Sequence, residues 1–276
     1  MAPSLELRPG IVHEEINLSS VAVARRDRMV VAGSIVLIVA LAWIYLIQLD
    51  HRMSATAAAD PMAAMGMATD RPWSARDVVF TFAMWSFMMA AMMAPAATPM
   101  LQLIAGTQAQ RARGAISPIV LCFGLGYATV WTGFSAAATL AQWLMHQAAL
   151  LSGTHALWSP WLAGGILIGA GVYQLTPLKG ACLRHCQSPL GFIMSHWRAG
   201  AGGAYRMGLQ HGIYCLGCCW ALMAVLFVVG VMNLAWIAAL TVFVFLEKLG
   251  PRGSWLARAG SALLITWGMV VWTRAL

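Results

Sequence analysis

Seven apolar stretches of membrane-spanning length, near residues 30–49, 78–101, 117–145, 160–177, 207–230, 232–248 and 259–273, use up most of this chain. No separate soluble domain fits in what remains. Only 9% of the 276 residues are charged, against about 25% in a soluble domain, and 61% are hydrophobic, so polar groups are too few to cover the surface in water. The solvent must be mostly lipid. The fold expected is an all-α, polytopic transmembrane helix bundle of about seven spans. Its expected organisation is an N-terminal tail at 1–29, a first transmembrane helix at 30–49, a Met-rich loop at 50–77 and a six-helix transmembrane domain at 78–276. The first apolar run is too long for a signal-peptide core and starts after 29 residues, which predicts an uncleaved helix.

Basic residues orient these spans. With the N-terminus inside, the inner segments hold thirteen Lys and Arg, including Arg25, Arg26, Arg28, Lys179, Arg184, Lys248 and Arg258, and the outer segments hold four. That asymmetry predicts N-inside, C-outside. The 178–206 loop is then cytoplasmic and the 50–77 loop external. The arginines are scattered between apolar runs with no basic stripe, so the lipid bilayer is an expected partner and nucleic acid is not.

Carboxylates exclude much chemistry. After Asp77 the sequence has only Glu247, which leaves no material for paired-carboxylate hydrolysis or a two-metal phosphoryl site. No Walker loop, nucleotide fingerprint or serine elbow is present. No catalytic set is therefore expected. Glu247 ends the sixth apolar stretch, where pairing with Lys248 or a nearby Arg at the interface is its simplest role.

Soft ligands are abundant instead. Five of the six cysteines, Cys182, Cys186, Cys215, Cys218 and Cys219, fall within 38 residues. On a helix, His211, Cys215 and Cys218 lie within roughly 60° of one another, so one face carries an imidazole and two thiols. Gly208, Gly212 and Cys219 form an adjacent stripe of small groups where another helix can approach. Cys182 and Cys186 are spaced i, i+4, which puts both sulfurs on one side of a helical turn, with Arg184 and His185 near to favour thiolate. Such groups read as metal ligands or a redox relay in two stations, or as small apolar residues lining a contact.

Thioethers extend the pattern. Met84, Met88 and Met92 share one face of the second span and Met89 and Met93 a neighbouring line, ahead of Pro95 and Pro99, which predict a broken backbone. A Met ladder beside a broken helix fits either a pathway or simple packing. Upstream, His51, Met53, Met62, Met65 and Met67 sit among Ala and Gly in a loop expected to be mobile, as soft-cation ligands or as a Met-rich linker. The Gly164, Gly165, Gly169 and Gly171 run and Gly126 with Cys122 suit close helix crossings.

Taken together, Met84-Trp85 with the following Met-Met and Pro, Tyr173-Gln-x-Thr-Pro-Leu-Lys179 followed by Cys182-x-x-x-Cys186, and His211-Gly-x-x-Cys215-x-Gly-Cys218-Cys219-Trp220 resemble the bacterial family of predicted metal-binding integral membrane proteins. The resemblance covers about residues 75–270. It implies a multi-pass protein of the bacterial cytoplasmic membrane that binds metal through these cysteines, and it supplies no substrate. Thiolates bind Cu(I) and Zn(II) alike, but thioethers suit Cu(I) and have little use for Zn(II).

The expected metal is therefore Cu(I), with Zn(II) or another soft metal as the alternative. The ligand set expected is Cys215 and Cys218 with His211 or Cys219, a transfer pair in Cys182 and Cys186, and a ladder at Met84, Met88 and Met92. Transfer implies a copper chaperone or a metalloenzyme under assembly as the protein partner. The competing readings are a membrane thiol–disulfide oxidoreductase using Cys215 and Cys218, and a non-catalytic accessory subunit.

Overall fold

A computed structural model describes residues 18–59, 73–108, 118–148, 150, 157, 159–250 and 253–274. Every regular element among them is a helix. In chain order they are α1 (Leu18–Ala59), α2 (Ala75–Gln108), α3 (Pro118–Gln147), α4 (Pro160–Gln174), α5 (Pro177–Gln187), α6 (Pro189–His196), α7 (Gly200–Ala224), α8 (Leu226–Val229), α9 (Leu234–Leu249) and α10 (Gly253–Thr273).

Among the described residues, five helical segments are long and apolar enough to cross a membrane: Arg25–Ala55, Ala75–Gly106, Pro118–Gln147, Gly200–Val229 and Trp255–Thr273. A sixth arises if α4 and α5, bent by 62° at their junction, count as one broken span. Hydropathy alone suggested seven. The difference lies in α9, whose 16 residues reach about 24 Å at 1.5 Å per residue, short of a hydrocarbon core of about 30 Å. Large apolar side chains such as Val36, Leu41, Leu125 and Leu263 are exposed on the outside of the bundle, as lipid contact requires.

Two elements differ from their sequence reading. The first helix does not stop at residue 49, because the Ala-rich stretch after Asp50 has high helix propensity and no breaker before Pro61. His51 and Met53 are therefore helical rather than part of a mobile loop, and Met53 packs against the core. Met62, Met65 and Met67 lie outside the described residues. The second helix also continues through Pro95 and Pro99 instead of breaking. Each proline removes a donor, and neighbouring groups add others to this stretch: Thr98 Oγ1 donates to the Ala94 carbonyl at 3.4 Å and the Tyr127 hydroxyl to the Met93 carbonyl at 3.0 Å.

Glycines set the closest crossings. Helix α7 lies directly on α3, where a Cβ on Gly208 would sit 2.1 Å from the Phe123 carbonyl oxygen and one on Gly126 2.2 Å from that of Tyr205. Gly212 meets Val130 in the same seam. Helix α4 meets α10 through Gly164 and Gly171, and Ser261 Oγ donates to the Gly171 carbonyl at 2.7 Å. Gly165 and Gly169, expected in the same role, face open space. Trp85 Nε1 ties α2 to α3 by donating to Gln142 Oε1 at 2.8 Å inside the core.

Because backbone rather than a flexible side chain blocks the space at Gly208, Gly208→Val should cost at least about 1–3 kcal/mol. Gly169→Val should be close to neutral. Thermal unfolding in detergent compares them, and equal midpoints would show that the α3–α7 seam is not the tight contact.

Candidate metal centre

One helix, α7, places three of the thiols and the imidazole. His211, Cys215, Cys218 and Cys219 are all buried. The i, i+3 and i, i+4 spacings turn the last two thiols toward the same carbonyl, and both Cys218 Sγ and Cys219 Sγ donate to Cys215 O at 3.0 Å. His211, one turn earlier, is ringed by Phe123, Tyr127 and Phe192 at centroid distances of 5.9, 5.8 and 5.4 Å. Its Nδ1 is buried without a hydrogen-bond partner.

A second element supplies another thiol. Thr176 caps α5, accepting from Lys179 N at 3.3 Å, and Pro177 opens its first turn. This break lets α5 leave the axis of α4 and lie against α7. Cys186 then packs against the core that holds Cys215 and Cys218, within interaction range of both thiols, and the Cys182 sulfur rests over Gly217, where a Cβ would meet it at 2.8 Å. The two stations read from the sequence are one contiguous cluster. All six cysteines of the protein, including Cys122 on α3 outside the cluster, are free thiols.

Arg184 and His185 do not serve these sulfurs. Arg184 is on the opposite side of the helix and exposed, and His185 is engaged elsewhere: its Nδ1 bonds Ala181 O at 2.9 Å while its ring stacks on Tyr214 at 4.2 Å. The cation that reaches the thiols is Lys248, whose Nζ donates to Cys215 Sγ at 2.9 Å. Lys248 Nζ also lies 3.8 Å from Met93 Sδ, which in turn is 4.0 Å from Cys219 Sγ. The Tyr127 hydroxyl completes the shell 3.0 Å from Cys215 Sγ.

Sequence reasoning did not select Lys248, Met93 or Tyr127. Met84, Met88 and Met92 are buried in the same core as the thiols, but the thioether beside them belongs to the neighbouring line through Met89 and Met93. Those two residues, with Tyr127, wall a largely apolar cavity of about 400 Å³ between α1, α2 and α3. A signal for Tyr127 exists in its chemistry, since a phenol in an apolar span needs a partner.

Charge pairing is likewise rearranged. Glu247 is paired with Lys179, Nζ to Oε2 at 2.8 Å, and not with Lys248 or an interfacial arginine. Both side chains are almost fully buried, and Lys179 Nζ also donates to Gln174 Oε1. Lys179 and Lys248 therefore do not belong among the loop cations, and the inner count falls from thirteen to eleven.

Sulfur dominates this centre. Among the described residues no group of three His, Cys, Asp or Glu is spaced to hold a metal ion together. What converges are thiols from two helices, one thioether, one phenol and one ammonium, with no carboxylate or water-loving ligand set that would suit Mg or Ca.

Fold and site thus define a helical bundle suited to a membrane, with a buried sulfur cluster at its centre. The family model named PpoB2, described as a copper chaperone, matches residues 82–271, which take in every residue of the cluster. The chain belongs to that family, and its association is with copper. No curated protein and no solved structure matches it.

Proposed function

We propose that this protein holds Cu(I) inside the membrane and passes it on, with the Cys215 and Cys218 thiolates as the resident ligands and Cys186 as the adjacent sulfur through which the ion moves to or from α5. The observation that carries this reading is the meeting of Cys186 with Cys215 and Cys218 beside the Met93 thioether. A migrating Cu(I) exchanges ligands one sulfur at a time, and a cluster of neighbouring soft donors keeps it bound throughout. Cys182 lies next along α5, and Cys219 and His211 flank the pair on α7 as third-ligand candidates. The line Met89–Met93 separates the cluster from the apolar cavity and is the natural thioether approach, with Met84, Met88 and Met92 behind it. A soluble chaperone or an apo-metalloenzyme is the partner class for release.

Lys248 supplies charge balance. Two thiolates with Cu(I) carry a net charge of −1, which a buried ammonium cancels; with Zn(II) the same group would leave the site positive. Net charge in a low-dielectric interior is costly, so Lys248 favours the monovalent ion without being a ligand.

Anaerobic purification, loading with Cu(I) and removal of excess should leave near-stoichiometric copper and little zinc. Lys248→Met should weaken Cu(I) retention against a chromogenic chelator by about 10–100-fold, the size of effect typical for groups that support metal ligands. Stoichiometric zinc from copper-replete cells contradicts the metal assignment. A quantitative disulfide among Cys186, Cys215 and Cys218 in acid-quenched cells would assign thiol–disulfide exchange instead.

A further inference from the structure

Helix α5 has two working faces. Cys182 and Cys186 lie against α7, whereas Thr176, Gly180, Arg184 and Gln187, at spacings of three and four, line a separate pocket of about 350 Å³ closed on its other side by the start of α10. Gln174, Lys179 and Arg258 complete its polar lining. None of the sulfur ligands contributes to it.

The pocket is rich in donors that lack acceptors. Lys179 is neutralised by Glu247, the one carboxylate in the sequence after Asp77. Arg184 and Arg258 both line the cavity, and among the described residues no ion pair reaches either. Gln174 is only 5% exposed; its Oε1 accepts from Lys179, which fixes the amide orientation and leaves Nε2 buried with no partner. The N-terminus of the 11-residue helix α5 adds its partial positive charge at the same end. Two guanidiniums, a buried amide donor and a helix N-terminus together match an oxyanion with several acceptor oxygens.

Leu175 lines the rim and Leu178 follows it, both strongly exposed on a chain whose outer apolar surface meets lipid. We propose that this pocket binds the phosphate group of an anionic phospholipid, whose acyl chains lie along that apolar surface.

Thermal unfolding of the full chain in neutral detergent tests this. Phosphatidylglycerol should raise the midpoint by at least about 2–4 °C in a saturable way, as a ligand of the folded state must, and phosphatidylcholine should not. Arg184→Gln with Arg258→Gln should abolish the shift while leaving copper content unchanged, which separates this site from the sulfur cluster. An undiminished shift in that double variant overturns the site. An equal shift from inorganic phosphate at matched ionic strength overturns the lipid assignment.

Discussion

Changing Cys215 and Cys218 together to Ser should reduce Cu(I) affinity by more than about a hundredfold, about 2.7 kcal/mol. The hydroxyls that replace the thiols are hard donors that stay protonated, so both soft anionic ligands are lost at once. The loss should also unbalance Lys248, whose Nζ now donates to Cys215 Sγ at 2.9 Å and would be left buried without a counter-charge on Cu(I) binding. Competition with a high-affinity Cu(I) chelator reads the affinity, and circular dichroism establishes that the helices persist. Cys219→Ser alone should lose far less, because it leaves both resident ligands, Cys215 and Cys218, in place and removes only a flanking thiol, whose Sγ donates to the Cys215 carbonyl. Full copper occupancy in the double variant would place the ion elsewhere in the bundle.

Glu247→Ala should destabilise the fold by about 3–5 kcal/mol, the range found when one member of a buried ion pair is removed. Lys179 Nζ contacts both carboxylate oxygens, at 2.9 and 2.8 Å, and its side chain is about 1% exposed. Deleting the carboxylate therefore strands an ammonium at the junction of α4, α5 and α9. Replacing both partners, Glu247→Met with Lys179→Met, should recover most of the loss, since two apolar side chains have no charge to desolvate. Unfolding in mixed micelles measures the cycle. A loss below about 1 kcal/mol for Glu247→Ala, the scale of an exposed ion pair, would mean that Lys179 becomes hydrated through the pocket it lines.

Much of the site was legible because helical periodicity is a local property. The face shared by His211, Cys215 and Cys218, the turn that aligns Cys182 with Cys186, and the Gly208–Gly212 seam all follow from 100° per residue applied within one helix. The same rule was insufficient for the methionines. Two adjacent lines exist on α2, and which one meets the thiols depends on how that helix is rotated against α3 and α9, a rotation carried by contacts such as Trp85 to Gln142 and Tyr127 to the Met93 carbonyl.

Lysines were misread for a related reason. A window average treats Lys179 and Lys248 as the polar ends of apolar runs, yet α9 is too short to reach a membrane boundary of its own, and its terminal Glu247 and Lys248 are held inside by partners distant in sequence. The sequence by itself determined the class of solvent, the helical content and the soft-donor chemistry, because composition and periodicity act within single segments. Only the tertiary structure decided that Cys186 joins Cys215 and Cys218, that Met93 is the adjacent thioether and that Lys248 is the cation beside Cys215. Each of those depends on the relative rotation and depth of helices packed through backbone contacts, which no single segment encodes.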